Sequence, residues 1–219
     1  MNEAAGMTSE VTDKDVPRPA GKARRSTREM RAEELRNRIF ASASTVVGRH
    51  GYAEASIGRI TEEAGIAQGT FYLYFESRQA LFDVLLPHVG VDMLAYISKK
   101  VHGAESFLEV EERGFRAFFS YLRTNPGFVR VLNEAEVAAP IAHAAHMKLL
   151  TEHYVHSLER SVANGEIKRF DGRELEALAY IFQSARSYLY MRYVKGHEKS
   201  KLPEWVVDTY MKLVRHGLK

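Results

Sequence analysis

The chain has 219 residues, 45% hydrophobic and 27% charged, which supports a folded chain with a sizeable core and excludes disorder throughout. It has no cysteine, which removes disulfide scaffolds, thiolate metal sites, iron–sulfur clusters and cysteine nucleophiles together. The net charge is only +3, yet eight Arg and Lys residues crowd between Arg18 and Arg38 against three glutamates, a pattern that suits a polyanion.

The opening MNEAAGMTSEVTDKD is acidic, unlike a secretory leader, and no unbroken apolar run approaches the ~18 residues of a membrane span. The expected setting is therefore cytoplasmic, with no membrane partner. Residues 1–26 are rich in Pro, Gly, Ala and charge without apolar periodicity, and read as a flexible basic arm.

Order is expected from Thr27, where Leu35, Ile39, Ala43, Val46 and Val47 recur at helical spacing until Gly51 stops the run. Ser56 then caps a short helix carrying Ile57, Ile60 and Ala64, stopped at Gly65. After a tight turn comes Gln68-Gly69-Thr70-Phe71-Tyr72-Leu73-Tyr74-Phe75, followed by Ser77, another cap. Helical periodicity predicts further helices over 79–100, 106–123, 126–138, 140–164, 172–194 and 203–216, with Pro87 expected to kink or split the first. No alternating segment bounded by hairpin signals appears, so the fold class is all-α.

Two short helices joined by a Gly-containing turn, directly after a basic arm, are the sequence picture of a helix-turn-helix. Phe71 and Phe75 give the second helix an inward stripe at i, i+4, while Gln68, Thr70, Tyr72 and Tyr74 supply uncharged hydrogen-bonding groups on its other side. Such groups suit base edges and phosphate oxygens.

The stretch from Ser56 to Arg78 resembles the DNA-binding domain of the TetR family of bacterial transcriptional repressors, in its Ala64-Gly65 turn, its Gly69-Thr70-x-Tyr72-x-Tyr74-Phe75 helix and its basic residue at 78. The resemblance implies a homodimer of all-helical subunits that binds a palindromic double-stranded DNA operator and holds a small-molecule effector in a larger carboxy-terminal domain. It divides the chain into an arm (1–26), a helix-turn-helix domain (27–82) and a ligand-binding and dimerisation domain (83–219). Carried over by residue, it makes Ser56, Gln68, Gly69, Thr70, Tyr72, Tyr74 and Arg78 the DNA-binding set, with Tyr72, Tyr74 and Arg78 on phosphates. Ala67 departs from the family's usual Ser, removing a side-chain cap worth ~1 kcal/mol.

Beyond residue 83 the expected effector site is Phe118, Phe128, Phe182, Arg186 and Tyr193. Arg186 falls among apolar residues on the 172–194 helix and demands a partner: either an anionic group on a greasy ligand, such as an acyl thioester of coenzyme A, or an internal carboxylate, with Glu134 and Glu136 as candidates. The opposite side, with Ala177, Tyr180, Ser184, Tyr188 and Met191, reads as a dimer contact, joined by the stripe of Val206, Val207, Tyr210, Leu213 and Val214 on the last helix.

His143, His146, His153 and His156 have zinc-compatible pair spacings. With no cysteine and no Glu-x-x-His motif, they are expected to form a polar face titrating near neutral pH, so no metal and no cofactor is assigned. The chain lacks P-loop, G-x-S-x-G, H-E-x-x-H and dinucleotide fingerprints, and is not expected to be an enzyme. The alternative is a helical ligand- or metal-binding protein without operator binding.

Overall fold

The structure is a computed structural model describing residues 26–197 and 201–218; the arm at 1–26, apart from Ser26, lies outside the described residues. These residues form an all-α protein of α1 (Thr27–His50), α2 (Ile57–Ala64), α3 (Gln68–Tyr72), α4 (Arg78–Val101), α5 (Phe107–Thr124), α6 (Phe128–Ala138), α7 (Pro140–Ala163), α8 (Gly172–Tyr193) and α9 (Glu204–Gly217).

Most helix starts follow local chemistry. Ser26 and Glu29 form a reciprocal capping box at α1, and Asp171 and Glu174 repeat it at α8. The hydroxyls of Ser56, Ser77 and Ser106 accept the free amides of Arg59, Ala80 and Glu109 in the first turns of α2, α4 and α5. At the turn after α2, Gly65 adopts left-handed φ 63° and ψ 41°, a conformation nearly free for glycine alone.

Helix α4 is the hub, packing on α1, α5, α6 and α7. Its length and apolarity match a membrane span by composition, and here Leu81, Phe82, Leu85, Leu86 and Met93 are buried in the protein core. It runs unbroken through Pro87. Proline removes one backbone bond from the ladder, and burial of neighbours contributing ~1.5–3 kcal/mol each outweighs that loss.

The remaining helices build outward from α4. Helices α7 and α8 pack as a pair, α9 lies on α5, and α6 bridges α1, α4 and α7. Core residues run without a break from Ile39 and Phe71 to Leu158, Phe182 and Val214.

Candidate nucleic-acid interface and effector cavity

Phe71 and Phe75 turn inward and meet with ring centroids 5.6 Å apart, while Phe40 of α1 packs edge-on against Phe75 at 5.4 Å. That anchoring leaves the other side of α3 outward. Gln68 and Gly69 are exposed, Thr70 is half-buried, and Tyr72 is 54% exposed. The helix ends at Tyr72, shorter than the eight-residue segment read from sequence, so Leu73 points out at 81% exposure and Tyr74 packs partly into the core. Tyr74 therefore presents less of its surface than Tyr72. Ala67 provides no side-chain cap at the start of α3.

Ser56 sits at the start of α2 with its Oγ 3.3 Å from the Arg59 amide, which it accepts. Arg78 is exposed, with Nη1 donating to the Ala53 carbonyl at 3.2 Å and its guanidinium 5.6 Å from the Phe82 ring centre. Arg28 and Arg31 stand exposed on the first turns of α1. Arg49 is paired with Glu63 at 2.9 Å and so brings less free charge.

Beside the continuous core, a polar clasp ties the helix-turn-helix to α6. Arg130 of α6 donates to the Arg49 carbonyl at 2.9 Å, satisfying an end-of-helix acceptor of α1, and bonds Glu134 at 2.6 Å. Glu134 in turn accepts the Tyr52 amide at 2.9 Å. Gly51, at φ 82°, leaves the room for this clasp, because a Cβ there would lie 2.6 Å from Arg130 Nη2. Burial raises the Glu134 carboxyl pKa, and the bonds from Arg130 and the Tyr52 amide outweigh it, so the net shift is downward.

A cavity of about 350 Å³ lies among α4, α5, α6, α7 and α8, a size ordinary for small-molecule sites. Its walls are mostly apolar: Ile97 and Val101 from α4, Gly114 and Phe118 from α5, Phe128 and Leu132 from α6, and Leu150 from α7. Along α7 the lining runs from His146 to Arg160, a length of about 21 Å at 1.5 Å per residue. Such a shape fits an extended chain.

Of the five expected effector residues, Phe118, Phe128 and Arg186 line the cavity. Phe182 is buried in the core between Tyr154 and Tyr210, and Tyr193 packs edge-on against Trp205 at 5.4 Å. On α8 the lining includes Tyr180, Gln183, Ser184 and Tyr188 together with Arg186, so the side expected as a dimer contact also faces the cavity.

Arg186 has an internal partner, and it is neither Glu134 nor Glu136. Its Nη2 donates to Glu111 of α5 at 2.6 Å, and its Nη1 donates to the Tyr154 hydroxyl and the Phe182 carbonyl, both at 3.1 Å. Tyr210 donates its hydroxyl to the same Glu111 carboxylate at 2.5 Å, and Tyr154 donates to the other oxygen. Arg186 is 8% exposed and Glu111 4%. Burial works against the guanidinium charge, and Glu111 outweighs it, so the pKa of Arg186 is raised and the charge is kept. Burial drives both tyrosine pKa values upward, so these phenols stay protonated donors. The pair is self-neutralised, and an anion brought to Arg186 would also meet Glu111.

The four histidines do not share one polar face. His153 and His156 are exposed and His143 is half-buried, while His146 has 0% exposure and lines the cavity. Burial first, and His143 second, push the His146 pKa down to about 4, below the near-neutral range expected of the cluster. Among the described residues no group of three or more His, Asp or Glu side chains is placed to hold a metal ion. Sequence periodicity missed Glu111, Tyr154 and Gln183, since their roles come from neighbours on other helices.

The sequence pattern of bacterial regulatory proteins of the tetR family matches residues 39–85, the segment whose geometry is described above. The chain is 40% identical over 73 residues to the uncharacterized HTH-type transcriptional regulator YvdT of Bacillus subtilis, a match covering 33% of this chain and 38% of that protein. It is 25% identical over 135 residues to the HTH-type transcriptional activator FasR of Mycolicibacterium smegmatis, covering 62% of this chain and 61% of FasR. The chain thus spans less than two thirds of either relative. The fold is similar to that of the transcriptional regulator FadR from Bacillus subtilis, solved in complex with stearoyl-CoA, with TM-score 0.71, 18% identity and coverage of 84% of this chain and 99% of that one. The helix-turn-helix geometry, the family pattern and the named relatives agree on residues 39–85, a segment similar to the DNA-binding domain of bacterial regulatory proteins of the tetR family.

Proposed function

We propose that this protein is a homodimeric, ligand-responsive DNA-binding regulator, a repressor released from a palindromic operator by an apolar effector with an anionic head, such as an acyl-CoA. The observation that carries the reading is the position of α6. Phe128 and Leu132 form part of the cavity wall, and Arg130 and Glu134 of the same helix clasp the end of α1 and the Tyr52 amide. A ligand that shifts α6 therefore moves the base of the DNA-binding domain.

The effector's chain lies along α7, and its anionic head sits at Arg160, an exposed cation on the rim beside Ser157, rather than at the neutralised Arg186. Gln183, whose buried amide atoms have no hydrogen-bond partner, faces the same space and suits a carbonyl of the head. The stearoyl-CoA in the Bacillus subtilis FadR structure is in keeping with this chemistry.

A second copy covers the exposed apolar residues of α8 and α9, where Ile181, Tyr188, Met191, Trp205 and Leu213 face outward. Tyr180 and Tyr188 are exposed and also line the cavity, so the effector touches the dimer contact. Residues 27–82 carry the operator contacts, and residues 83–219 carry effector binding and pairing.

Fluorescence anisotropy with fragments of the gene's own upstream DNA tests the reading. Binding is expected to be sequence-specific, to weaken steeply with salt and to drop on adding a long-chain acyl-CoA. A tenfold drop corresponds to ~1.4 kcal/mol of coupling, and the operator must weaken the effector equally. Salt-insensitive, nonspecific association would leave the ligand-binding alternative in its place. The activator name of FasR favours a second sign of regulation, and run-off transcription with and without the protein separates repression from activation.

A further inference from the structure

His146 is a group that the proposed mechanism leaves unused. Its side chain is wholly buried, it lines the cavity, and neither ring nitrogen has a hydrogen-bond partner. A neutral imidazole offers one N–H donor and one acceptor nitrogen, so it is built to pair with a group of the same dual character. The fold also makes special room for the ring. Gly90 of α4 lies against it so closely that a Cβ there would fall 2.3 Å from Nδ1 and 2.5 Å from Cε1, where no side chain fits without displacing the imidazole.

Position along the cavity then sets what the ring meets. His146 lies eight residues before Tyr154 on α7, about 12 Å along the axis, away from the Glu111–Arg186 network and the exposed Arg160 rim. Phe128 closes the space near it, with ring centroids 6.1 Å apart. A chain entering past Arg160 reaches His146 with its far end.

We infer that the effector is an extended chain bearing a hydroxyl group at its buried end, and that His146 seated on Gly90 reads this group. The inference rests on the chain-like effector of the preceding section and adds the chemistry of its distal end. A carboxylate is disfavoured there, because the ring stays neutral at physiological pH and no cation lines that end of the cavity among the described residues. A plain methyl end leaves both ring nitrogens without partners, whereas a hydroxyl donates to one or accepts from the other.

The test is calorimetric titration of the full chain with saturated acyl-CoA thioesters and their ω-hydroxy counterparts, matched in carbon number and stepped in length. At the length that reaches His146, the hydroxylated chain is expected to bind about tenfold tighter than the plain one, equivalent to ~1.4 kcal/mol. Shorter pairs show no preference. His146→Leu is expected to abolish or reverse the preference while melting no lower than the parent, and His146→Gln to retain part of it. Gly90→Ala, which displaces the ring, is expected to lose it too. Plain chains binding as well as hydroxylated ones at every length would overturn this inference and leave the acyl-CoA reading standing. If neither series binds or alters operator affinity, both fall.

Discussion

Gly48 of α1 and Gly127 at the start of α6 meet backbone to backbone: a Cβ on Gly48 would lie 2.5 Å from the Gly127 Cα. Replacing an interior helical glycine by alanine ordinarily stabilises by about 0.5–1 kcal/mol. Here the close approach reverses the sign, since overpacking between two backbones costs ~1–3 kcal/mol. Gly48→Ala is expected to lower the urea midpoint, and a midpoint at or above the parent's would show that α1 and α6 have room to separate.

The Glu134 clasp predicts a pH signature. Arg130 and the Tyr52 amide hold this carboxyl below its ordinary range despite burial, so its contribution to stability is present above the unfolded pKa of about 4.3. That contribution is lost as pH falls through the lower folded value. Thermal melts of parent and Glu134→Gln should differ by a constant amount near neutrality and converge on acidification; a gap that widens in acid contradicts the clasp.

Arg186 and Glu111 predict strong non-additivity. Arg186→Ala leaves the Glu111 carboxylate buried and without its cation, a loss of about 3–5 kcal/mol. The paired change Glu111→Leu with Arg186→Met removes both charges and is expected to cost far less than the two single changes summed. Costs that add within ~0.5 kcal/mol in chemical denaturation would show that the two side chains are not coupled.

On the DNA side, Tyr72→Phe is expected to weaken binding to all sequences through a lost phosphate contact, and Gln68→Ala to alter sequence preference. Anisotropy against the operator and a scrambled duplex reads both. Parent-like binding by both variants would mean that α3 does not enter the groove as drawn.

Much of the fold was legible in the sequence because its signals are local. Caps at Ser56 and Ser77, the stop at Gly65 and the i, i+4 pair Phe71 and Phe75 act within one or two turns, and the helices they mark stand where periodicity puts them. The length of α3 was less legible: after Tyr72 the chain leaves the helix and Tyr74 packs partly inward, a choice made by the core.

Residue order alone therefore determined an all-helical chain, its helix-turn-helix and the outward set around Gln68 and Tyr72. The tertiary structure decided the partners. Arg186 needed a carboxylate, and periodicity gave no way to choose Glu111, 75 residues away, over Glu134, which instead clasps Tyr52. His146 carries the same sequence signal as His153, yet the near contact of Gly90 makes one a buried neutral base and leaves the other on the surface. Helical propensity and capping depend on near neighbours, whereas charge pairing, burial and cavity shape arise only when distant helices meet.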